Sequence, residues 1–500
     1  MCTDRAPWLN VSTRFAPKEK WHKIRMGNLR DVLSLDAARG VVRVEPGVDV
    51  GTATRYLVPR GYMLKVTLEI AEATLGGLCM AVGMTTHSHR AGLIQDTVEA
   101  YEVVLADGSL VRATRAGPHA DLFHALPWSH GTLGLLVGIE LQVMPVKPYV
   151  RVRYTPLRGQ DHYVREISRA SLASEEEGVA DFVEATIFSK ESAVLMEGTF
   201  SDAPCRGPLR GWLSGAAWRA WLARANYNAL WYKPWFFKHV ESMLRADARD
   251  DRVVEEFLPL AHYLLRHDRA IFWTLQDMIP FGNHPLFRAL LGWLCPPKIA
   301  FLKLTTTPGI RAQTYRLRVF QDIVLPLSSL GAAVDRSHDL FEVYPVLVYP
   351  SRVYRRPDAS GLGGMLRIPD GEVLGRAPTD AAGAGPAYDY GMFFDLGVYG
   401  VPRAIQEKRP FRTVMAMREM EDFTRRVGGF PFLYADTFMD RREFAQTFDL
   451  TLYDACRAKY GAAGAFPHVY DKTAPEVDVW GALKAEKAAH ARECAAAKDE

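Results

Sequence analysis

The first 150 residues alternate between short β-branched runs and glycine-rich turns. The Asp107-Gly108 pair between two of these runs is typical of a β-hairpin. A helix is predicted to begin near Val50, where Asp49 or Thr52 can cap its first turn. The apolar runs predict strands at 41–45, 101–106, 110–114 and 134–144.

Beyond residue 150 the chain becomes more helical and more aromatic. Trp, Phe and Leu concentrate at 231–245 and at 269–298. Crowding of this kind is typical of a hydrophobic core, and it also suits the wall of a wide apolar cavity. Both interpretations stay open for these two segments.

The last third of the chain changes character again. Glycine and proline dominate residues 355–387, which predicts a flexible surface insertion. Around it, period-two alternation predicts strands of a mixed or antiparallel sheet with one active face, at 341–350, 390–400 and 432–440. The Ala/Lys/Glu-rich end predicts a solvated helical or frayed tail. Together these changes predict a first domain at 1–150, a second at 151–455, and a C-terminal segment with its tail at 456–500.

Composition narrows the class of protein without identifying it. The 500 residues are 48% hydrophobic and 24% charged, which is typical of a globular chain. The 61 basic and 58 acidic residues nearly cancel, so no nucleic-acid partner is expected. Six cysteines without a CxxC pair predict neither a disulfide framework nor a metal site, and a reducing compartment is the simpler interpretation.

Neither a signal peptide nor a membrane-spanning helix is predicted. The longest uncharged run, 122–139, contains a proline, two histidines and three glycines. A second apolar stretch, 281–302, is interrupted by Arg288 and Pro296-Pro297. This stretch fits either a helix on a membrane surface or a buried helix followed by a proline turn.

A glycine-rich segment at 74–92 is the strongest candidate for cofactor binding. Glycines at four positions would let the backbone approach a flat or phosphorylated ligand, and hydroxyl side chains can donate to its oxygens. The residues are Gly76, Gly77, Gly83 and Gly92, with Thr85, Thr86 and Ser88 as donors. The motifs V-V-L-A-D-G (103–108), D-L-F-H-A (121–125) and G-T-L-G (131–134) follow in that order.

This order of motifs, with V-E-P-G-V at 44–48, resembles the FAD-binding domain of the vanillyl-alcohol oxidase type. The resemblance implies an α+β fold in which FAD lies between two subdomains and a cap domain covers the flavin. It matches no Rossmann fingerprint. The early loop at 2–12 matches the pyrophosphate loop and has no histidine, which implies non-covalent FAD. The implied cofactor residues are Arg5, Ser12, Pro46, Gly47, Thr74, Gly76, Gly77, Gly83, Thr85, Thr86, His87, Ser88, His89, Gly92, Gly131 and Gly134.

A more specific resemblance covers residues 1–471, apart from the 355–387 insertion. The segments PWLNVSTR (7–14), WYKPWFFKHVE (231–241), IFWTLQDMIPFGN (271–283) and LYADTFMDRREF (433–444) are similar to the Δ24-sterol reductase family. This implies FAD-dependent reduction of a sterol side-chain double bond by NADPH at the endoplasmic reticulum membrane, with a soluble cytoplasmic protein as the alternative. Because this chain begins at about the phosphate loop, both a truncated N-terminus and a shorter natural form stay open.

The implied reaction needs a general acid, since an isolated alkene has no carbonyl to polarise. Proton delivery to C24 would place cationic character on the tertiary C25, which then accepts hydride. The candidate acids are Asp395, Tyr399, Tyr434, Asp436 and His89. Asp395 interrupts an apolar strand, where burial would keep it protonated. A hydrogen-bonding support at Asp395, and a structural ion pair between Asp436 and Arg441, are the alternatives.

Two other functions fit the same sequence. One is an FAD-dependent oxidoreductase that acts on another lipid. The other is a non-catalytic sterol- or partner-binding protein that keeps the fold. A basic amphipathic segment at 209–225 fits a calmodulin target, and it also fits an ordinary helix of the cap.

Overall fold

The computed structural model describes residues 1–14, 18–174, 176–202, 231–246, 254–355, 363–378 and 387–496. The predicted calmodulin segment at 209–225 lies outside them. The strands in these ranges are β1 Cys2–Thr3, β2 Lys23–Ile24, β3 Val32–Asp36, β4 Val41–Val44, β5 Tyr62–Leu64, β6 Val98–Val104, β7 Leu110–Thr114, β8 Leu135–Pro145, β9 Tyr149–Arg158, β10 Phe182–Ser189, β11 Ser192–Ser201, β12 Val254–Pro259, β13 Val319–Pro326, β14 Val346–Arg355, β15 Gly375–Pro378, β16 Ala387–Gly400 and β17 Phe430–Pro431.

Short helices connect most of these strands. They are Val50–Leu57, Leu75–Met80, Ser88–Ala91, Ala120–Ala125, Gln160–Leu172, Phe236–Ala246, Leu260–Leu264, Thr274–Met278, Pro285–Leu291, Ile299–Leu304, Pro308–Leu317, Leu330–Phe341, Arg403–Gln406, Thr413–Arg426, Arg441–Thr447, Thr451–Lys459, Ala462–Ala465, Val469–Thr473 and Val479–Ala496. Within the described ranges, none of them is long and apolar enough to cross a bilayer.

The first sheet contains the strands predicted from the N-terminal pattern. Its order is β3-β4-β8-β6-β7, with β5 beside β8, and the strand pairs are antiparallel. The hairpin at Asp107-Gly108 is confirmed, because Asp107 accepts a 2.9 Å hydrogen bond from the Ser109 amide. The helix predicted near Val50 is confirmed too, since Asp49 accepts a 2.6 Å bond from the Thr52 amide.

The second sheet is larger and antiparallel, as predicted for the cap. Its order is β12-β9-β11-β10-β14-β16-β13-β17, with β15 beside β16. The strand predicted at 341–350 begins only at Val346, because a helix extends to Phe341. One face of the sheet packs apolar residues against helices Gln160–Leu172, Leu330–Phe341 and Thr413–Arg426. The opposite face shares its core with the first sheet.

The strand predicted at 432–440 is wrong. The Ala435 amide donates to the Phe432 carbonyl in a turn at 3.1 Å, and nearly every residue of the segment is buried, so burial does not alternate. Asp440 caps the helix Arg441–Thr447 in a box with Glu443, which ends the extended backbone. The mixed apolar and polar sequence reflects a packed loop between two domains.

Residues after this loop return to the first sheet's side of the molecule. The Tyr453 and Thr132 hydroxyls lie 2.6 Å apart, Arg457 donates to the Thr132 carbonyl at 2.9 Å, and the Tyr460 hydroxyl donates to Asp121 at 2.7 Å. Residues on both sides of position 455, the predicted end of the second domain, therefore pack on the N-terminal part of the chain.

Two surface expectations differ from the structure. Of the insertion predicted at 355–387, the described residues 363–378 bury Met365 and Ile368 in the core, and Met365 accepts a 2.8 Å backbone bond from Asp449. A buried helix at 281–302 is wrong, because large apolar residues such as Leu286 and Leu290 are exposed there. The glycine and proline content of 355–387 did not predict that Met365 and Ile368 are buried. The apolar content of 281–302 did not predict that Leu286 and Leu290 are exposed.

Candidate functional site

Acidic and phenolic side chains share the face of the large sheet that packs toward the first domain. Asp395 of β16 lies opposite Val324 of β13 and opposite Tyr349 of β14. Asp322 lies opposite Gly397, two residues further along β16. Directly opposed residues of an antiparallel pair project to the same side. We call Asp322, Asp395, Tyr349 and Tyr399 the acid face.

Asp395 is the most strongly perturbed acid of this group. It is buried, and among the described residues its Oδ1 has no hydrogen-bond partner. Burial raises the pKa of Asp395 well above its ordinary value, and the negative charges of Asp322 and Glu69 raise it further. This rise in pKa favours the protonated carboxylic acid at Asp395, which is the form a proton donor needs.

A hydrogen-bonded chain runs beside Asp395. Burial raises the pKa of Asp322 to about 7, while a hydrogen bond from Tyr399 opposes that rise. The Tyr399 and Tyr434 hydroxyls lie 2.8 Å apart, and Trp273 donates to the Tyr399 carbonyl at 2.8 Å. The structure therefore brings three predicted catalytic residues, Asp395, Tyr399 and Tyr434, to one region.

Asp436, the fourth predicted catalytic residue, lies in a different environment. Its Oδ1 accepts a 2.7 Å bond from the Tyr315 hydroxyl and lies 3.3 Å from Arg311. Arg441, the ion-pair partner considered from sequence, bonds instead to Asp471. The side chain of Asp436 is thus bound within a structural charge cluster, and nothing places it on the acid face.

Asp322 was missed as a site residue. It interrupts the apolar strand β13 just as Asp395 interrupts β16, so the argument that selected Asp395 applies equally to it. The two positions are far apart in the sequence, and only the register of β13 against β16 brings them together.

A buried ion network borders the acid face. Arg266 donates to Glu184 of β10 at 3.1 Å through Nε, and its Nη2 lies 3.7 Å from Glu69. Although burial opposes the shift, the charges of Arg266 and His267 lower the pKa of Glu184. Burial raises the pKa of Glu69 to about 7, and Thr85 donates a 2.6 Å bond to it. The network joins the glycine-rich segment to the large sheet.

The histidines of the 74–92 segment also connect this segment to the large sheet. His87 Nδ1 lies 2.6 Å from the Asp181 carbonyl, and His89 Nε2 lies 2.9 Å from the Ala180 carbonyl. The Thr86 carbonyl accepts a 2.8 Å bond from the Val183 amide. Burial lowers the pKa of His89 to about 3, so it is neutral at physiological pH and its ring is not placed as an acid. Burial also lowers the pKa of His87 to about 4.

Most glycines predicted to approach a cofactor instead approach other parts of the chain. A Cβ at Gly76 would lie 2.5 Å from the Pro46 Cβ, and one at Gly47 would lie 2.3 Å from the Leu29 carbonyl oxygen. Gly83, Gly92 and Gly134 would meet Ile94, Asp96 and Val103 just as closely. A Cβ at Gly77 would lie 3.1 Å from the Thr74 hydroxyl oxygen, which is also tight, whereas at Gly131 the nearest described atom is the Lys472 Nζ at 3.8 Å, so Gly131 leaves more room for a ligand.

The early loop connects the two parts of the candidate site. Arg5 donates to the Thr74 hydroxyl at 2.7 Å, directly before the helix Leu75–Met80. Ser12 donates to the Tyr434 carbonyl at 2.6 Å. The predicted phosphate-loop residues thus lie between the glycine-rich helix and the end of the Tyr399–Tyr434 pair.

Partly buried cations near Gly131 test whether a phosphorylated cofactor fits. Lys472 donates to the His130 carbonyl, and no carboxylate of the described residues forms an ion pair with it. Burial lowers the pKa of Lys472 to about 8, and nearby Lys18 lowers it further. His130 has a left-handed backbone, and its Nε2 lacks a partner among the described side chains. A partly buried cationic loop of this kind fits the diphosphate of FAD.

Residues 10–114 match the family described as "FAD binding domain". Together with the α+β architecture and the cationic loop, this match defines a flavoprotein of the FAD-binding class.

Close relatives narrow the class to one family. The chain is 39% identical over 472 residues to the human Delta(24)-sterol reductase, covering 94% of this chain and 81% of that protein. It is 34% identical over 480 residues to the Delta(24)-sterol reductase of Pisum sativum, covering 94% and 80%. The Arabidopsis thaliana protein of the same name is 34% identical over 478 residues, covering 95% and 80%. The chain belongs to the Delta(24)-sterol reductase family.

Lys472→Gln is expected to weaken FAD binding by about tenfold or more, because a charge-assisted hydrogen bond to a phosphate oxygen is lost. The measurement is a titration of flavin-stripped protein with FAD, followed by absorbance and fluorescence. Lys459→Gln is the matched control, since that lysine pairs with Asp121 on the surface. Equal FAD affinity of both variants and the unchanged protein would contradict the assignment of the diphosphate to this loop.

Proposed function

We propose that this protein reduces the Δ24 side-chain double bond of a sterol, with FAD as its cofactor and NADPH as the reductant. The relatives named above carry this activity in their names. The observation that supports this proposal best is the acid face: Asp395 is buried, its pKa is raised by that burial, and its sheet shares a core with the first sheet. An isolated alkene requires such an acid, whereas a carbonyl-conjugated substrate could be activated by hydrogen bonding alone.

In this proposal Asp395 delivers its proton to C24 of the alkene. FAD bound at this site and reduced by NADPH would supply the hydride for C25. Burial, and after it the nearby Asp322, raises the pKa of Asp395, which favours retention of its proton until substrate arrives. Tyr399 and Tyr434 fix the edge of the site through their hydroxyl contact. The apolar residues beside Asp395, including Val324 and Phe393, exclude water from the reacting carbons.

The site of action is also part of the proposal. We place the protein at the endoplasmic reticulum membrane, because sterols are poorly soluble in water and reside in bilayers. Sterol is the one substrate class proposed.

Mass spectrometry of the sterol product tests the function. The flavin-loaded protein, given NADPH and desmosterol, is expected to form the product that is heavier by two hydrogens. A sterol already saturated at C24 is the matched control and should remain unchanged. Oxygen consumption with NADPH but no sterol reduction would favour action on another lipid. A colourless protein that still binds sterol would favour a non-catalytic role.

A further inference from the structure

Large apolar side chains are exposed along the helices Pro285–Leu291 and Ile299–Leu304 and the turns beside them. Leu290 is 64% exposed and Trp293 is 63% exposed, although residues of these types are normally buried. A concentration of this kind marks an interaction site. We define the apolar surface as Phe281, Leu286, Leu290, Leu291, Trp293, Leu294, Phe301 and Leu304.

The backbone under the apolar surface is anchored to the rest of the fold. Arg288 donates to the Tyr232 carbonyl at 2.6 Å, and Asn283 accepts a 2.9 Å bond from the amide of the buried Trp235. The Ile299 amide donates to Glu72 at 3.0 Å. The exposed side chains therefore project from a fixed frame.

The basic residues beside the apolar surface are mostly engaged within the fold. Between Asp277 and Asp322 the sequence contains no aspartate or glutamate. Acidic residues from other segments nevertheless pair with the basic residues there: Lys298 with Glu72, Arg311 with Asp436 and Glu476, and Arg318 with Asp277. The feature that matches a bilayer interface is therefore the set of exposed apolar and aromatic residues.

We propose that the apolar surface inserts into the interfacial layer of a membrane. We take the partner to be a lipid bilayer and not a protein. Insertion buries exposed aliphatic and aromatic side chains without requiring a protein surface of complementary shape. Trp293 suits the headgroup level, where its ring is both apolar and able to donate a hydrogen bond.

The apolar surface lies next to both parts of the candidate site. Helix Ile299–Leu304 packs on the turn Pro7–Leu9, and Lys303 donates to the Arg14 carbonyl at 2.8 Å. Trp273, which bonds to the Tyr399 carbonyl, immediately precedes the helix that leads to Phe281. Resting on the proposed function, this placement puts the membrane-facing elements in contact with elements that carry the candidate site.

Flotation of the full-length, flavin-loaded protein with vesicles tests the proposal. The vesicles are pure phosphatidylcholine, or phosphatidylcholine with about one fifth phosphatidylserine, and contain no sterol. The unchanged protein is expected to float with both kinds of vesicle, because its insertion depends on buried apolar area. Leu290→Asp should reduce this binding about tenfold or more. Leu110→Asp is the matched control, because Leu110 is also 64% exposed but lies on β7 of the first sheet.

Flavin absorbance of each variant verifies its fold, and reduction of desmosterol delivered in cyclodextrin reports the proposed function separately. Equal losses for Leu290→Asp and Leu110→Asp would overturn the membrane proposal. Absence of vesicle binding by the unchanged protein, with a doubled mass in light scattering, would instead assign the surface to a second copy of the chain. Loss of sterol reduction with vesicle binding intact would contradict only the function.

Discussion

Asp395→Asn is expected to lower sterol reduction by about 10²- to 10⁴-fold while the protein keeps its flavin. Asparagine has nearly the same shape as a protonated aspartic acid, but it has no acidic proton to deliver to C24. The measurement is the rate of product formation under saturating NADPH, alongside the flavin spectrum. With the unchanged protein in D₂O, deuterium at C24 of the product is expected, since the carboxyl proton exchanges with solvent.

The same substitution is expected to leave stability equal or higher at alkaline pH. Burial gives Asp395 a folded-state pKa above its unfolded value of about 3.9, so the folded state binds the extra proton. Its stabilising contribution is complete below that unfolded value and is lost as pH rises through the folded pKa. Urea unfolding at several pH values should therefore show a smaller decline for Asp395→Asn than for the unchanged protein.

Asp436→Asn is the matched control for this prediction. Asp436 is also a buried carboxyl, but it bonds to Tyr315 and Arg311 away from the acid face. Its substitution should cost stability and preserve most of the turnover. If Asp395→Asn retains full turnover, or if both variants lose activity equally, the assignment of Asp395 as the acid is wrong.

Arg266→Met is expected to lower the free energy of unfolding by about 3–5 kcal/mol, because it leaves the buried Glu184 carboxylate without its main charge partner. Arg266 also lies over the Tyr263 ring, with 4.3 Å between the guanidinium carbon and the ring centroid. Urea unfolding followed by tryptophan fluorescence gives the measurement. The flavin spectrum shows whether the contact between the glycine-rich segment and the large sheet, near Glu69 and Thr85, is retained.

Two further variants separate the charge effect from packing. Arg266→Met combined with Glu184→Gln removes the lone carboxylate and should recover part of the lost stability. Arg39→Met breaks an exposed pair with Glu140 and should cost less than about 1 kcal/mol. Equal costs for Arg266→Met and Arg39→Met would show that the buried network contributes no more than a surface ion pair.

Local sequence chemistry predicted the elements that depend on neighbouring residues. Asp49 and Asp107 accept hydrogen bonds from amides two or three residues further along the chain. The helix cap and the hairpin could therefore be predicted directly from the sequence. The loop at 432–440 could not, because its residues are buried between domains and its end is set by the Asp440–Glu443 box. The alternation of apolar and polar residues in this loop therefore did not indicate extended backbone.

The candidate site depended on contacts between distant parts of the chain. Asp395 was predicted because a carboxyl in an apolar strand is costly, whereas pairing with Asp322 needed the register of two strands. Gly76 was expected to approach a cofactor, but the structure places Pro46 against it. A glycine signals close approach without saying what approaches, and only the fold distinguishes a ligand from another strand or loop.

Single turnover of the anaerobically reduced protein tests the central proposal most directly. Reduced, flavin-loaded protein is mixed with desmosterol in the absence of NADPH and oxygen, and flavin absorbance is followed together with the sterol mass. We predict that the oxidised flavin spectrum returns with one saturated sterol formed per flavin, and that a saturated sterol leaves the flavin reduced. A flavin that stays reduced in the presence of desmosterol would contradict the proposed reaction.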